Sequence, residues 1–208
     1  MNGPVARVLG SAVSWMLFTL CFTLLYQVSA VVLGLGGFCA NGGPYVIETE
    51  CPEAVVIFAP LSIFGGLLAA AIGLLVARGF GTPLVIWAWP ILFVGLGLDF
   101  LRASFLPGGV ANIVVGIVFV VMGLVPLVVV VRVGAARLLV GTTNAHDRPF
   151  RDGRGPTPIF RVGRAGDEES AVPATARVWA LALGVSVPSV IVGVWLGLVL
   201  FRSVGAAQ

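Results

Sequence analysis

The sequence predicts an all-α membrane protein, a bundle of five transmembrane helices. Of its 208 residues, 59% are hydrophobic and only 10% carry a charged side chain, and the mean hydropathy is +1.09. In soluble domains roughly a quarter of the residues are charged. Five apolar stretches reach the about 20 residues that a helix needs to cross a bilayer. These stretches are continuous and do not alternate with polar residues, which excludes a transmembrane β-barrel.

The composition also excludes a soluble enzyme, an intrinsically disordered chain and a nucleic-acid-binding domain. The net charge of +3 and the isoelectric point near 9.1 would suggest a nucleic-acid partner in a soluble domain. Here all twelve basic residues are arginine, and Ala, Val, Gly and Leu dominate the rest of the chain. This usage is typical of a high-GC genome, so we expect no nucleic-acid partner.

Each predicted helix corresponds to one apolar stretch. The first stretch is longer than the apolar core of a signal peptide and continues past the small residues Val28–Ala30. It therefore predicts a signal anchor that is not cleaved. The predicted spans are Val8–Gly34, Ala54–Ala77, Pro83–Leu106, Val110–Val131 and Arg177–Phe201.

The placement of arginine predicts the orientation of the bundle. Ten arginines precede the first span or follow the second and fourth spans, whereas Arg102 and Arg202 lie on the other side. Because basic residues remain on the cytoplasmic side, we expect a cytoplasmic N-terminus and an extracytoplasmic C-terminus. The ten are Arg7, Arg78, Arg132, Arg137, Arg148, Arg151, Arg154, Arg161, Arg164 and Arg177.

The chain divides into three predicted regions. Residues 1–131 form a four-span membrane region, whose outer loop covers about 36–53. Residues 132–176 form a basic cytoplasmic segment rich in Gly and Pro and poor in apolar residues, which predicts that it is largely disordered. Residues 177–208 form the fifth span and a short outer tail.

The outer loop predicts a disulfide. Cys39 and Cys51 bracket the turn sequence Asn41–Pro44 on the expected outer side, where thiol pairs are usually oxidised. Closing a loop of this length stabilises the fold by about 3 kcal/mol on the chain-entropy model. The alternative is a metal site that combines the two thiolates with nearby glutamates. No histidine is near and the spacing matches no zinc pattern, so we expect no metal.

Asp99 and Arg102 are the only charged residues within the predicted spans that suggest a site. They are three residues apart, so they lie on one helix face and can pair with each other. One interpretation is a self-neutralising pair at the outer interface, which long side chains can reach. The other is a buried site in which Asp99 binds an ion or a proton.

Two stripes of residues four apart predict helix packing. The polar stripe of the first span more often marks a helix contact than a pore, since hydroxyl and amide groups bond across helices. The stripe of the second span carries small residues that allow close approach of two backbones. The polar stripe is Thr19, Thr23 and Gln27, and the small-residue stripe is Gly65, Ala69, Gly73 and Ala77.

The basic segment suggests contact with anionic lipids. Arginines next to a membrane attract acidic headgroups by about 1 kcal/mol for each basic residue near the surface. The orientation rule accounts for the same residues equally well. The residues that we expect to make this contact are Arg132, Arg137, Arg148 and Arg151.

The outer loop, followed by Pro60–Gly66 and Arg78–Pro83, resembles small polytopic membrane proteins of high-GC bacteria, a group without an assigned function. The resemblance covers roughly the first half of the chain. It implies a bacterial plasma membrane but no particular activity, so it transfers no functional residue.

These observations favour a non-enzymatic accessory or interaction subunit that uses no cofactor. The sequence contains no Ser-His-Asp set, no HExxH motif and no phosphate-binding loop. The expected partners are the lipid bilayer, anionic lipids and another membrane protein or a second copy of the chain. The alternative is a small transporter or channel that uses Asp99, Arg102 and the polar face of the first span.

Overall fold

The computed structural model describes residues 4–37, 39–42, 47–76, 88–105, 110–132, 142–144, 171–173 and 176–205. Within these ranges the chain forms five helices and two short strands, so the prediction of five helices is confirmed. The helices are α1 (Pro4–Gly34), α2 (Glu53–Val76), α3 (Ala88–Ala103), α4 (Val110–Arg132) and α5 (Ala176–Gly205). The strands are β1 (Thr142–Asn144) and β2 (Ala171–Pro173).

Three of the helices are long and apolar enough to cross a membrane. The spanning segments are Val8–Gly34 in α1, Glu53–Gly73 in α2 and Ala180–Gly205 in α5. A shorter apolar segment, Val110–Val125, lies in α4. These three helices are consistent with a membrane protein. The two further spans remain a prediction for α3 and α4.

The local sequence explains where α1 ends and where α2 begins. α1 ends where Gly36 and Gly37 adopt left-handed backbone angles, with φ of 96° and 92°. The Gly37 amide donates back to the carbonyl of Val32 at 2.9 Å, a cap that glycine forms without a steric penalty. Glu53 lies in the first turn of α2, where the helix dipole favours a negative charge.

α1 is the central helix of the bundle. It packs along α2 on one side and α5 on another, and it meets α3 over a smaller area, while α4 packs on α3. Gly193 of α5 lies against Met16 of α1, and Gly197 lies against Thr23. Residue numbers therefore increase in the same direction along both helices, so α5 runs parallel to α1. Contacts of Gly123 with Val94 and of Gly116 with Leu101 show that α4 runs antiparallel to α3.

Two buried clusters lie at different levels along α1. One surrounds Leu24 and contains Val28, Val55 and Phe58, with Phe201 of α5 packed against it. We call this end of the bundle, next to the loop between α1 and α2, the disulfide end. The other cluster contains Trp15, Phe18, Ala69 and Ala88. The core is thus built where α1 meets its neighbours.

The outward surfaces of the helices are strongly apolar. Phe64 of α2, Val114 of α4 and Ile191 of α5 are 72%, 59% and 62% exposed. A water-soluble monomer rarely presents such continuous apolar surface. A bilayer solvates it, which agrees with the membrane character of the three long helices.

A small β-ribbon occurs within the segment predicted to be largely disordered. β1 pairs antiparallel with β2, with Thr143 opposite Val172. This pairing joins the two ends of the segment, 142–144 and 171–173. The rest of 133–175 lies outside the described residues, so the expectation of disorder stays a prediction there.

Candidate functional site

The polar stripe of α1 lies against the glycines of α5. Thr19 Oγ1 donates to the carbonyl of Trp15 in its own helix at 2.8 Å and lies 3.5 Å from the carbonyl of Val190 in α5. Thr23 Oγ1 likewise donates to the carbonyl of Thr19 at 2.8 Å. Gln27 is half-buried. Thr19 and Thr23 are therefore engaged in hydrogen bonds and helix packing.

The small-residue stripe of α2 faces α1. A β-carbon at Gly65 would lie 2.8 Å from Cys21 Sγ, and the buried Ala69 accepts a 2.7 Å hydrogen bond from Ser14 Oγ through its carbonyl. Gly73 is also buried, and Ala77 lies outside the described residues. Because these residues are small, α1 and α2 approach closely, and the Ser14 hydroxyl of α1 reaches the α2 backbone.

Asp99 is buried at the contact between α3 and α1. Its side chain is 7% exposed, and its Oδ2 atom is hidden from solvent without a hydrogen-bond partner. Tyr26 and Ser29 of α1 lie beside the carboxyl group, as does Arg102, one turn further along α3. The local fit of the helices is close, because a β-carbon at Gly95 would lie 2.9 Å from Phe22 of α1.

Arg102 donates a hydrogen bond to Tyr26, whereas its spacing in the sequence suggested pairing with Asp99. Its guanidinium is exposed, and Nη1 donates to Tyr26 Oη at 3.4 Å. Asp99 Oδ2 and Ser29 Oγ are both hidden and have no partner. The two charged residues therefore lie in one polar cluster with Tyr26 and Ser29, which we call the Asp99 cluster.

Sequence reasoning missed Ser29 as a member of this cluster and did not connect Tyr26 with Asp99. A signal was present, since Tyr26 and Ser29 are three residues apart on α1 and Asp99 and Arg102 are three apart on α3. Each pair therefore lies on one face of its helix. Pairing the two faces required knowledge of how α1 and α3 pack.

The loop at the disulfide end is closed by a covalent bond between Cys39 and Cys51, as predicted. Their Cα atoms lie 4.9 Å apart. The Cys51 amide donates to Asn41 Oδ1 at 2.8 Å, and the amide of Ala40 donates to the carbonyl of Thr49 at 3.1 Å. The bond and these amides hold the two arms of the loop together.

The acidic residues of this loop lie on its surface. Glu48, Glu50 and Glu53 are all exposed. Within the described part of the chain, no three His, Cys, Asp or Glu side chains gather closely enough to hold a metal ion. The third cysteine, Cys21, is a free thiol buried in α1.

The arginines expected to contact lipid lie at the end of α4 or outside the described residues. Arg132 is the last residue of α4, and its side chain lies outside the described part of the structure. Arg137, Arg148 and Arg151 also lie outside the described residues. Lipid contact by these residues stays a prediction.

The chain matches no protein-family model, no curated protein and no solved structure.

Proposed function

We propose that this chain is a non-enzymatic accessory or interaction subunit of the bacterial plasma membrane, with its N-terminus in the cytoplasm. The observation that carries the proposal is the exposure of α4. This helix packs mainly on α3. Among its residues whose burial is described, only the glycines Gly116 and Gly123 are buried. The exposed residues of its described surface are available to lipid or to a partner helix.

The chemistry of that surface fits a membrane-embedded partner. Val114, Val121 and Val125 are 59%, 49% and 50% exposed. β-Branched side chains have restricted rotamers, so they lose little conformational entropy when another helix packs on them. Helices associate in lipid through this kind of close van der Waals contact. A partner helix, from another protein or a second copy, is therefore the occupant that we propose.

Site-specific photocrosslinking in native membranes tests this proposal. A photoreactive residue replaces Val114 or Val121 in the full-length chain, and Ile191 of α5, which is equally apolar and 62% exposed, is the matched control position. We expect discrete protein adducts from α4 and only lipid adducts from Ile191. Lipid adducts alone at all three positions, with a chain that purifies without companions, would contradict the proposal.

The proposed orientation has its own test. A membrane-impermeant thiol reagent, added to intact cells after mild reduction, labels Cys39 and Cys51 if their loop is extracytoplasmic. Labelling only after the cells are opened would reverse the orientation. Cys21 is buried and provides an internal background signal.

A small transporter or channel is a second candidate, favoured by the burial of Asp99. Ionisable groups within membrane bundles commonly bind transported ions or protons. The involvement of Thr19 and Thr23 in packing argues against a pore along that face of α1. Reconstituted vesicles test the candidate: Asp99→Asn abolishes solute flux, whereas Glu48→Gln in the exposed loop leaves it unchanged. Wild-type vesicles that pass no ion or small solute would reject it.

A further inference from the structure

Proline interrupts the backbone hydrogen bonds of α4. Pro126 lies within this helix, which covers Val110–Arg132. Because proline has no amide hydrogen, it cannot donate to the carbonyl four residues earlier, which belongs to Met122. In hydrocarbon a carbonyl that loses its helical partner must find another protein donor, since no water is present. The Met122 carbonyl therefore lacks the backbone amide that a regular α-helix supplies.

A side chain of α3 bonds to this carbonyl. Trp89 is the second residue of α3, and its Nε1 donates to the Met122 carbonyl at 3.1 Å. The indole N–H is a donor without acceptor capacity, so it suits a carbonyl that has lost its amide. The bond joins α3 to α4 at the carbonyl that Pro126 releases.

Two neighbouring contacts hold the indole in place. The ring centroids of Trp89 and Phe93 lie 4.4 Å apart, with the planes inclined by 40°. A β-carbon at Gly123, the residue after Met122, would lie 2.9 Å from Val94 Cγ2 and 3.3 Å from Phe93 Cβ. The absence of a side chain at position 123 lets α3 approach the α4 backbone closely enough for the indole to reach it.

We propose that Pro126 is a hinge in α4 and that Trp89 is the latch that holds it. Helices bend at proline because the backbone bond that would resist bending is absent. The Trp89 indole replaces that bond from a neighbouring helix and so fixes the angle between the parts of α4 before and after the proline. When the indole leaves the Met122 carbonyl, residues 127–132 can change direction.

The latch is a single hydrogen bond at the surface of the pair formed by α3 and α4. Trp89 and Met122 are both exposed, so the indole can turn away without opening a buried cluster. Hydrogen bonds between membrane helices are weak on average, which makes release reversible. α4 ends at Arg132, where the basic segment begins. The latch therefore sets the direction in which the chain leaves α4, whatever binds the exposed face of this helix.

Distances between two spin labels on the full-length chain in lipid test the hinge. One label replaces Leu67 of α2, and the other replaces Val128, after the proline, or Val118, before it. The background lacks the buried free thiol of α1, so that only the introduced cysteines react. Trp89→Phe removes the indole N–H and keeps an aromatic ring against Phe93. We expect this variant to broaden the distance distribution from position 128 and to leave the distribution from position 118 unchanged.

Restoring the backbone bond separates a hinge from simple packing. Pro126→Ala returns an amide that donates to the Met122 carbonyl, so in that background Trp89→Phe should no longer broaden the distribution. Pro188→Ala is the matched control, because Pro188 also lies within a helix, α5. It follows Gly184 by four residues, and a β-carbon at Gly184 would meet nothing within 4 Å. We expect the broadening caused by Trp89→Phe to persist in the Pro188→Ala background.

Three results would overturn the inference. An unchanged distribution from position 128 in Trp89→Phe excludes the latch. Equal broadening from positions 118 and 128 excludes the hinge, because the whole helix then loosens from α3. Broadening that persists in the double variant Trp89→Phe/Pro126→Ala shows that the proline is not involved. If Trp89→Phe does not fold, folding of the double variant supports the latch, and failure of both variants to fold overturns it.

Discussion

Gly193 of α5 packs so closely against Thr19 of α1 that no side chain fits at position 193. A β-carbon at position 193 would collide with Thr19 Oγ1 and the carbonyl oxygen of Met16, and it would lie 3.1 Å from the amide nitrogen of Leu20. One helical turn later, a β-carbon at Gly197 would lie 2.9 Å from Thr23 Cβ. Two glycines one turn apart thus form the groove that receives the polar stripe of α1.

The first prediction concerns this contact. Gly193→Ala forces α1 and α5 apart, because two of the colliding groups are a backbone carbonyl and a packed threonine. Overpacking of this kind costs about 1–3 kcal/mol. Thermal or denaturant unfolding in detergent micelles measures the loss of stability.

Gly184→Ala is the control for that experiment. It lies in the same helix, and a β-carbon there meets nothing within 4 Å. Replacing glycine by alanine within a helix contributes about 0.5–1 kcal/mol, so this variant should equal or exceed the wild type. Equal stability of the two variants would mean that α5 does not pack on α1 through Gly193.

The second prediction concerns the cluster at the disulfide end. Leu24 is 0% exposed, and Leu24→Ala leaves a cavity between α1 and α2. Such substitutions cost about 2–5 kcal/mol in water-soluble cores. We expect a value near the lower limit, because an unfolded helix still keeps its side chains in lipid. Leu67→Ala on the exposed face of α2 should change the free energy of unfolding far less.

The third prediction concerns the hydrogen bond between α1 and α2. Ser14→Ala removes the donor to the Ala69 carbonyl. Interhelical hydrogen bonds in membranes contribute about 0.6 kcal/mol on average, so we expect a loss of that order. Ser189→Ala is the control, since Ser189 Oγ donates to the Val185 carbonyl of its own helix. If both variants lose the same stability, the bond to Ala69 contributes nothing specific.

The fourth prediction concerns the three cysteines. Alkylation of the denatured chain without reductant should modify Cys21 alone, and alkylation after reduction should modify all three. Mass spectrometry distinguishes one adduct from three. The double variant Cys39→Ser/Cys51→Ser should be less stable by about 3 kcal/mol on the loop-entropy model. Three adducts without reductant would show that the bond does not form in the cell.

Much of the helical organisation was predictable, because each helix corresponds to a continuous stretch of apolar residues in the sequence. The predicted stretch Val110–Val131 corresponds to α4 at Val110–Arg132, and Ala54–Ala77 corresponds to α2 at Glu53–Val76. In α1 the helix begins earlier than predicted, at Pro4, because proline has no amide hydrogen to lose in a first turn. The disulfide was predictable from two cysteines around a turn.

Periodicity alone did not identify the partner of each stripe. The stripe Thr19–Thr23 predicts a helix contact, yet nothing in the sequence indicates that it lies on Gly193 and Gly197. The Asp99 cluster was likewise not identified, because in the sequence Ser29 is only a small residue in an apolar run. Both facts depend on contacts between residues far apart in the chain.

By itself the sequence determined where the helices lie and that the chain belongs in a membrane, because backbone groups in lipid must bond within their own segment. Only the tertiary structure decided that α1 is central, that α5 presents its glycines to it and that Ser29 meets Asp99. The physical reason is that helices apolar on every side have no polar face to mark which surface is buried. Close fit between particular side chains and backbones then selects the neighbours.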